Sequence, residues 1–197
     1  MIKFRIDSIQ QEFEEPVTIL KAAEEAGIAI PHLCYNKALK PYGGCRICLV
    51  EIKGKPVLAP ACATFIAEGM DILTNSPRVI EGRKFVLELL LARCPESKEL
   101  AAFSKEIGLD PEDENSFSSV GSYLLKRTQK YLDTRCVLCG LCVRVCAEIT
   151  ERHALSFFSR GSERRVKTPF DKTAEKCIGC GACAYVCPTK AITIEEA

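Results

Sequence analysis

The chain has 197 residues, 47% of them hydrophobic, and its 27 basic and 26 acidic residues nearly cancel. Because the charges nearly cancel, the chain has no long-range electrostatic field that would attract a polyanion, so we expect no nucleic acid among its partners. The sequence has no apolar run of roughly eighteen residues and no basic start followed by an apolar stretch, so we expect a soluble, cytoplasmic protein without membrane insertion. The length predicts two small domains and a connector.

Residues 1–76 predict a small α+β domain. Patterns of apolar residues predict five strands, at 1–7, 9–14, 47–53, 57–59 and 70–74. Thr18 is placed to cap a helix, and Gly27 stands where that helix would stop. Two strands, a helix and then further strands are typical of a β-grasp fold.

Residues 77–130 predict a helical connector. Ser76 and Pro77 form a helix cap followed by a proline at the first helical position, and apolar residues at helical spacing come next. A second helix is predicted after Pro95, and the polar, acidic segment 110–122 predicts a loop or linker.

Residues 131–197 predict a second domain built on an internal repeat. Two eleven-residue segments, which start at Cys136 and Cys177, share the pattern Cys-x2-Cys-x2-Cys-x3-Cys. Between them, residues 155–158 and 164–166 predict a β-hairpin. The repeat predicts an internal two-fold relation within this domain.

The first cysteine set lies in the predicted β-grasp and consists of Cys34, Cys45, Cys48 and Cys62. Its spacing keeps the long loop, close pair and distant fourth ligand of plant-type ferredoxins but omits their four-residue first gap. Gly43 and Gly44 let the chain turn beside the close pair. Four thiolates on a β-grasp predict one [2Fe–2S] cluster, and a zinc site or packed free thiols are the alternatives.

The repeat has the cysteine spacing by which bacterial ferredoxins bind [4Fe–4S] clusters. Three closely spaced thiolates surround one cluster and the fourth points toward the other, so the ligands cross between the repeats. The predicted sets are Cys136, Cys139, Cys142 and Cys187 for one [4Fe–4S] cluster, and Cys146, Cys177, Cys180 and Cys183 for the other. A zinc site is the alternative, but zinc needs neither the third cysteine of each run nor a second run.

The remaining candidate ligands carry weaker patterns. Cys94 has no second cysteine or histidine nearby and is predicted to be a packed free thiol. His32 and His153 are the only histidines, and neither lies in a metal-binding spacing, although His32 precedes Cys34 by two residues. We therefore expect twelve of the thirteen cysteines to bind clusters.

Several phrases of this sequence resemble a known iron–sulfur module. They are Ile30-Pro31-His32-Leu33-Cys34-Tyr35, Gly44-Cys45-Arg46-Ile47-Cys48-Leu49-Val50-Glu51, Pro60-Ala61-Cys62-Ala63-Thr64, Leu87-Glu88-Leu89-Leu90-Leu91-Ala92 and the run from Cys136 to Cys146. The module is shared by the large iron–sulfur subunit of respiratory complex I in its amino-terminal part, the small diaphorase subunit of soluble NAD-linked hydrogenases, iron-only hydrogenases and NAD-dependent formate dehydrogenases. The resemblance implies a β-grasp [2Fe–2S] domain joined to a two-cluster ferredoxin domain.

The chain departs from that module in its connector. The family usually carries a His-x3-Cys-x2-Cys-x5-Cys set there for an additional [4Fe–4S] cluster, whereas this sequence continues from Ala92 as Arg93-Cys94-Pro95-Glu96-Ser97. We therefore expect that cluster to be absent. Because electron transfer falls steeply with distance, a rearranged complex follows as a hypothesis.

The sequence contains no Gly-x-Gly-x-x-Gly after a strand, no phosphate-binding loop and no catalytic Cys–His or Ser–His–Asp candidate. We therefore expect no catalytic residue and no substrate site in this chain. The resemblance implies an electron-transfer subunit between a flavin/NAD(P)-binding subunit and a catalytic oxidoreductase subunit, such as a hydrogenase or formate dehydrogenase of anaerobic metabolism. A free-standing multi-cluster ferredoxin that serves several partners is the alternative, and a structural or sensing role is a third hypothesis.

The iron content tests the number of clusters. One [2Fe–2S] and two [4Fe–4S] clusters require about ten iron atoms per chain, whereas the additional connector cluster would raise this to about fourteen. Iron and acid-labile sulfide assays on anaerobically purified protein measure this number. About fourteen iron atoms would show that the connector cluster is present after all.

Overall fold

The computed structural model describes residues 1–128, 135–171 and 175–194. The chain forms two compact units, Met1–Tyr35 with Pro41–Leu87, and Asn36–Lys40 with Glu88–Ala197. Each unit combines helices with a β-sheet, which confirms the predicted α+β class. In the described ranges, no helix is long and apolar enough to cross a membrane.

A five-stranded mixed sheet forms the centre of the first unit. Its strands are β1 (Ile2–Ile6), β2 (Ile9–Phe13), β3 (Leu49–Ile52), β4 (Ala59–Pro60) and β5 (Asp71–Leu73). They lie in the order β2-β1-β5-β3-β4, with β1 and β5 parallel and the other neighbours antiparallel. All five predicted strands are therefore present in the predicted chain order.

All five strands are shorter than their predicted segments, and after β3 the structure also moves the return strand, from the predicted 57–59 to Ala59–Pro60. The chain leaves β3 in a tight turn, closed by the Lys55 N–H that donates to the Ile52 carbonyl at 3.0 Å. Val57 lies in the connection that follows and is 69% exposed, because the return strand pairs only two residues with β3. The prediction of a strand at Val57 is wrong for this reason.

Helix α1 (Ile19–Glu25) is capped as predicted, since the Thr18 hydroxyl accepts the Lys21 N–H at 3.3 Å. The first two N–H groups of this helix have partners outside it. Ile19 donates to the Thr64 carbonyl at 2.8 Å, and Leu20 donates to the Ala61 carbonyl at 3.0 Å. The helix start therefore holds the segment on both sides of Cys62.

The core of the first unit includes two of its cysteines. Its fully buried residues come from the sheet, α1 and the following loops, and include Phe4, Ile6, Ile19, Ala22, Ala23, Val50, Ala61 and Ile72. Cys48 and Cys62 belong to the same buried cluster, each 1% exposed. Apolar burial of about 25 cal/mol per Å² thus stabilises the loops that carry these thiols.

The second unit contains most of the helices. Its elements are the end of α2 (Pro77–Arg93), α3 (Lys98–Glu106), α4 (Ser119–Thr128), α5 (Leu141–Glu148), α6 (Ala182–Tyr185), the hairpin strands β6 (Ser156–Phe158) and β7 (Arg165–Lys167), and short 3-10 segments at Glu114–Ser116, Gly161–Glu163 and Pro169–Asp171. Helix α2 begins in the first unit, where the Ser76 hydroxyl accepts the Val79 N–H at 3.3 Å. The predicted cap, the helix after Pro95 and the hairpin are all confirmed.

The segment 110–122 is only partly a loop, because α4 starts at Ser119 within it. A buried carboxylate holds the start of this helix: Glu88 accepts the Ser118 N–H and the Ser118 hydroxyl, both at 2.6 Å. The Ser118 hydroxyl in turn accepts the Gly121 N–H at 3.1 Å. Polar composition predicts a loop here, but this tertiary contact stabilises a helix.

The domain limits derived from the sequence stay a prediction. The expected start of the last third near Tyr131, and the limit between residues 130 and 131, lie outside the described residues. The limit between residues 76 and 77 falls directly before the start of α2.

The Thr18 cap is expected to control the local stability of α1. Thr18→Ala removes the hydroxyl that accepts the Lys21 N–H and should cost about 1 kcal/mol, which speeds amide exchange of Ala22 and Ala23 by roughly fivefold. Thr18→Ser keeps an acceptor and is the matched control. Hydrogen exchange followed by mass spectrometry on the cluster-loaded protein measures both, and equal exchange in the two variants would contradict the capping role.

Candidate iron–sulfur centres

The four amino-terminal cysteines come together from two connecting segments, one between α1 and β3 and one between β4 and β5. Cys34 lies in the loop after α1, Cys45 and Cys48 lie directly before β3, and Cys62 follows β4. Their exposed fractions are between 1% and 7%. No disulfide joins any of the thirteen cysteines, all of which lie in the described ranges.

Hydrogen bonds connect these four sulfur atoms with one another and with the backbone. The Cys45 N–H donates to Cys34 Sγ at 3.3 Å, and the Cys62 N–H donates to Cys48 Sγ at 3.5 Å. Hydrogen bonds from the Cys45 and Cys62 thiols lower the pKa of Cys34 to about 2. The Cys62 thiol likewise lowers the pKa of Cys48 to about 7, so two of the four sites favour thiolates.

The donors of these bonds show the opposite shift. The pKa of Cys45 is raised because its thiol donates to Cys34, and burial adds to this effect. The pKa of Cys62 is raised because its thiol donates to Cys34 and to Cys48. Four buried cysteines, linked through the pairs Cys45–Cys34, Cys34–Cys62 and Cys62–Cys48, and with two of their sulfur atoms also bonded by backbone N–H groups, fit the ligand set of a [2Fe–2S] cluster.

The loop around Cys45 depends on left-handed backbone conformations. Gly43 has a φ of 68°, and a Cβ atom there would lie 3.2 Å from the Ala63 Cβ. Arg46, between the close pair of cysteines, has a φ of 62° although it is not glycine. The left-handed turn at Gly43 is predictable from the sequence because glycine adopts positive φ readily. The positive φ of Arg46 is not predictable, because arginine rarely adopts it.

The two carboxy-terminal repeats adopt the same backbone conformation. Gly140 and Gly181 occupy equivalent positions, with φ values of 79° and 72°, and each precedes a helix, α5 or α6. Leu138 and Gly179 are also equivalent, with φ values of 53° and 67°. The sequence repeat is therefore a structural repeat as well.

The eight cysteines of the two repeats line two separate cavities. One cavity, of about 830 Å³, is lined by Cys136, Cys139, Cys142 and Cys187, and is called the Cys136 cavity below. The other, of about 200 Å³, is lined by Cys146, Cys177 and Cys180, and is called the Cys146 cavity. Cys183 lines both. The volume of the Cys136 cavity lies within the range of roughly 300 to 1,000 Å³ that is typical of cofactor sites.

The fourth cysteine of each repeat accepts a backbone hydrogen bond. The Ala154 N–H donates to Cys146 Sγ at 3.3 Å, and the Ala191 N–H donates to Cys187 Sγ at 3.2 Å. The Thr189 hydroxyl, which belongs to a buried residue, lies 3.8 Å from Cys187 Sγ. Such N–H donors stabilise negative charge on sulfur, and they fit the ligand sulfurs of an iron–sulfur cluster.

The two cavities differ in exposure. Cys139 and Cys142 are buried, and burial raises the pKa of Cys142 to about 12. Cys177 and Cys180 are exposed. A cationic metal offsets the cost of burying a thiolate. In the Cys136 cavity, thiolates bound to a metal are therefore favoured over thiolates without one.

Cys94 and His32 line neither of these cavities. Cys94 has no exposed surface, and burial raises the pKa of its thiol to about 12, which agrees with the prediction of a packed free thiol. The Nδ1 atom of His32 lies 3.1 Å from the Ile30 carbonyl, and its ring meets the Tyr35 ring edge-on at 5.2 Å. The His32 side chain is thus held by its own loop.

Two family models match the chain. A 2Fe-2S iron-sulfur cluster binding domain matches residues 1–77, and a 4Fe-4S dicluster domain matches residues 135–194. Together with the four-thiol site and the doubled repeat, these matches define the class of the protein. The chain is an iron–sulfur protein with one [2Fe–2S] and two [4Fe–4S] clusters.

The relatives of the chain confirm the resemblance seen in its motifs. It is 36% identical over 206 residues to a subunit of the NADH-quinone oxidoreductase of Rhizobium meliloti (strain 1021), and 33% identical over 218 residues to a subunit of the NADP-reducing hydrogenase of Solidesulfovibrio fructosivorans. These matches cover 98% and 100% of this chain but only 24% and 36% of the relatives. The chain thus matches, along nearly its whole length, an iron–sulfur module of these proteins and spans about a quarter to a third of their length.

A solved structure shows the same fold along almost the whole chain. A chain of the NAD+-reducing [NiFe]-hydrogenase, crystallised in the H2-reduced state, superposes with a TM-score of 0.75 at 25% identity. The match covers 96% of this chain and 86% of the hydrogenase chain.

Cys94 and Cys139 are both buried thiols, but only Cys139 lines a cluster cavity. We expect Cys94→Ala to keep about ten iron atoms per chain and all three sets of EPR signals. Cys139→Ala should lose one [4Fe–4S] cluster and fall to about six iron atoms. Equal iron loss in the two variants would show that Cys94 is a ligand or that its packing is required for cluster assembly.

Proposed function

We propose that the chain is an electron-transfer subunit of a soluble multisubunit oxidoreductase. It would relay electrons between a flavin/NAD(P)-binding subunit and a catalytic subunit such as a hydrogenase or formate dehydrogenase. The observation that carries the proposal is the grouping of twelve cysteines into one four-thiol site and two cavities. When bound, iron–sulfur clusters accept and donate single electrons.

We assign the ligands of the three clusters on this grouping. The proposed sets are Cys34, Cys45, Cys48 and Cys62 for the [2Fe–2S] cluster, Cys136, Cys139, Cys142 and Cys187 for one [4Fe–4S] cluster, and Cys146, Cys177, Cys180 and Cys183 for the other. Cys183 lines both cavities, and it goes to the Cys146 cavity because only three other cysteines lie there. The lining of the cavities supports ligands that cross between the two repeats.

Surface exposure supports electron exchange with another protein at the Cys146 cavity. Cys177 and Cys180 are exposed, and Ile178 between them is 58% exposed. Tyr185, at the end of α6, is 91% exposed. An accessible apolar surface beside cysteine ligands suits the docking of a partner that takes or gives electrons.

The names of the relatives support nicotinamide-linked partners. One relative is part of a NADH-quinone oxidoreductase, one is part of a NADP-reducing hydrogenase, and one belongs to an NAD+-reducing hydrogenase. All three act with a nicotinamide nucleotide, whereas this sequence has no nucleotide-binding motif. We therefore assign nicotinamide chemistry to a flavin-containing partner, and we place the complex in the cytoplasm.

Crossed ligation has a spectroscopic consequence. Cys136→Ser and Cys187→Ser should perturb the EPR signal of the same [4Fe–4S] cluster, although these residues belong to different repeats. Cys146→Ser and Cys177→Ser should perturb the signal of the other. EPR spectra of the four reduced variants test this pairing, and a common signal change for Cys136→Ser and Cys146→Ser would contradict crossed ligands.

Purification under mild, anaerobic conditions tests the proposed function. We expect the chain to elute with a stoichiometric flavoprotein, and its clusters to be reduced by NADH or NADPH only when that protein is present. A chain that elutes alone and exchanges electrons with several soluble donors would instead be a free-standing ferredoxin. Dithionite reduction of the isolated chain is the control that its clusters are intact.

A further inference from the structure

Arg93 lines the Cys136 cavity but belongs to no cysteine motif. It is the last residue of α2, and its guanidinium donates from Nη2 to the Arg164 carbonyl in the hairpin of the same unit. This bond fixes the guanidinium at a wall of the cavity. The Nε atom is buried and has no hydrogen-bond acceptor among the described residues.

The other charged side chains that line this cavity are exposed or lie beside an aromatic ring. Glu163 is an exposed residue whose carboxylate accepts the Ser159 hydroxyl at 3.4 Å. The guanidinium carbon of Arg164 lies 4.0 Å from the centre of the Phe157 ring and stacks there as a cation on an aromatic face. Arg165 is an exposed residue, and its guanidinium carbon lies 5.7 Å from the centre of the Phe158 ring. Arg93 is therefore the cation that combines a fixed position at the cavity wall with an enclosed N–H donor.

A cation at this position has a defined effect on a bound cluster. A [4Fe–4S] cluster with four thiolate ligands carries net negative charge, and its reduction adds one more negative charge. A fixed positive charge in a partly buried site stabilises the reduced form more than the oxidised form and so raises the reduction potential. An N–H group directed at sulfur acts in the same direction.

We propose that Arg93 raises the reduction potential of the [4Fe–4S] cluster at Cys136, Cys139, Cys142 and Cys187 through its positive charge. This inference rests on the ligand set assigned under the proposed function.

Redox titration followed by EPR tests the proposal on the fully loaded protein. Arg93→Gln removes the charge and should shift the midpoint potential of one [4Fe–4S] cluster to a more negative value. Arg93→Lys keeps a positive charge and should recover most of that shift. Arg160→Gln makes the same charge change at an exposed residue that does not line the cavity, and it should leave all three potentials unchanged.

The outcomes separate this inference from the ligand assignment. The cluster that shifts must be the one whose EPR signal changes in Cys136→Ser and Cys187→Ser. If Arg93→Gln holds about ten iron atoms and its potentials match those of the wild type, the inference is wrong although the ligand set stands. A shift of equal size in Arg160→Gln, or no recovery in Arg93→Lys, also overturns it.

A second measurement keeps the proposal testable if Arg93→Gln fails to assemble its cluster. Wild-type protein labelled with 15N in the arginine guanidinium groups should show 15N couplings to the reduced cluster in pulsed EPR. The same labelling of Arg93→Lys should remove the strongest of these couplings and leave only weaker ones from the other arginines at the cavity, Arg164 and Arg165. Absence of the coupling in the wild type, or the same couplings at full strength in Arg93→Lys, would place the Arg93 guanidinium away from the cluster and overturn the proposal.

Discussion

Each cluster site needs four cysteine sulfur atoms close together, and the rest of the structure depends on this constraint. Buried thiolates repel one another and lose the stabilisation of water, as the raised pKa of Cys142 shows. The backbone offsets part of this cost by directing N–H groups at sulfur, at Cys34 and Cys48 in the first unit and at Cys146 and Cys187 in the second. Iron supplies the remaining positive charge when a cluster is bound.

This constraint explains the local structure around each site. Loops that turn their N–H groups inward need left-handed residues, which occur at Gly43 and Arg46 in the first unit and at Gly140 and Gly181 in the repeat. Regular elements then hold the loops: the start of α1 is bonded to the segment around Cys62, and α5 carries two cysteines of the first repeat. The sheet and helices thus act mainly as supports for the thiol loops.

Cysteine spacing predicts much of the fold and of the site, because cluster geometry permits few ligand patterns. The β-grasp order, the α1 cap and the hairpin follow from local patterns, and the structure contains all three. The start of α4 is not predictable in this way, since it depends on the contact of Glu88 with Ser118, which lies 30 residues further along the chain. The role of Arg93 is not predictable for the same reason, because only its tertiary contacts bring it to the Cys136 cavity.

Rapid freeze-quench EPR on the protein with its co-purifying partners tests the relay most directly. After mixing with NADH or NADPH and the substrate of the catalytic partner, we predict that the cluster signals of this chain appear within the first turnover and faster than product accumulates. Clusters that stay oxidised, or that become reduced more slowly than the complex turns over, would contradict an electron-relay role.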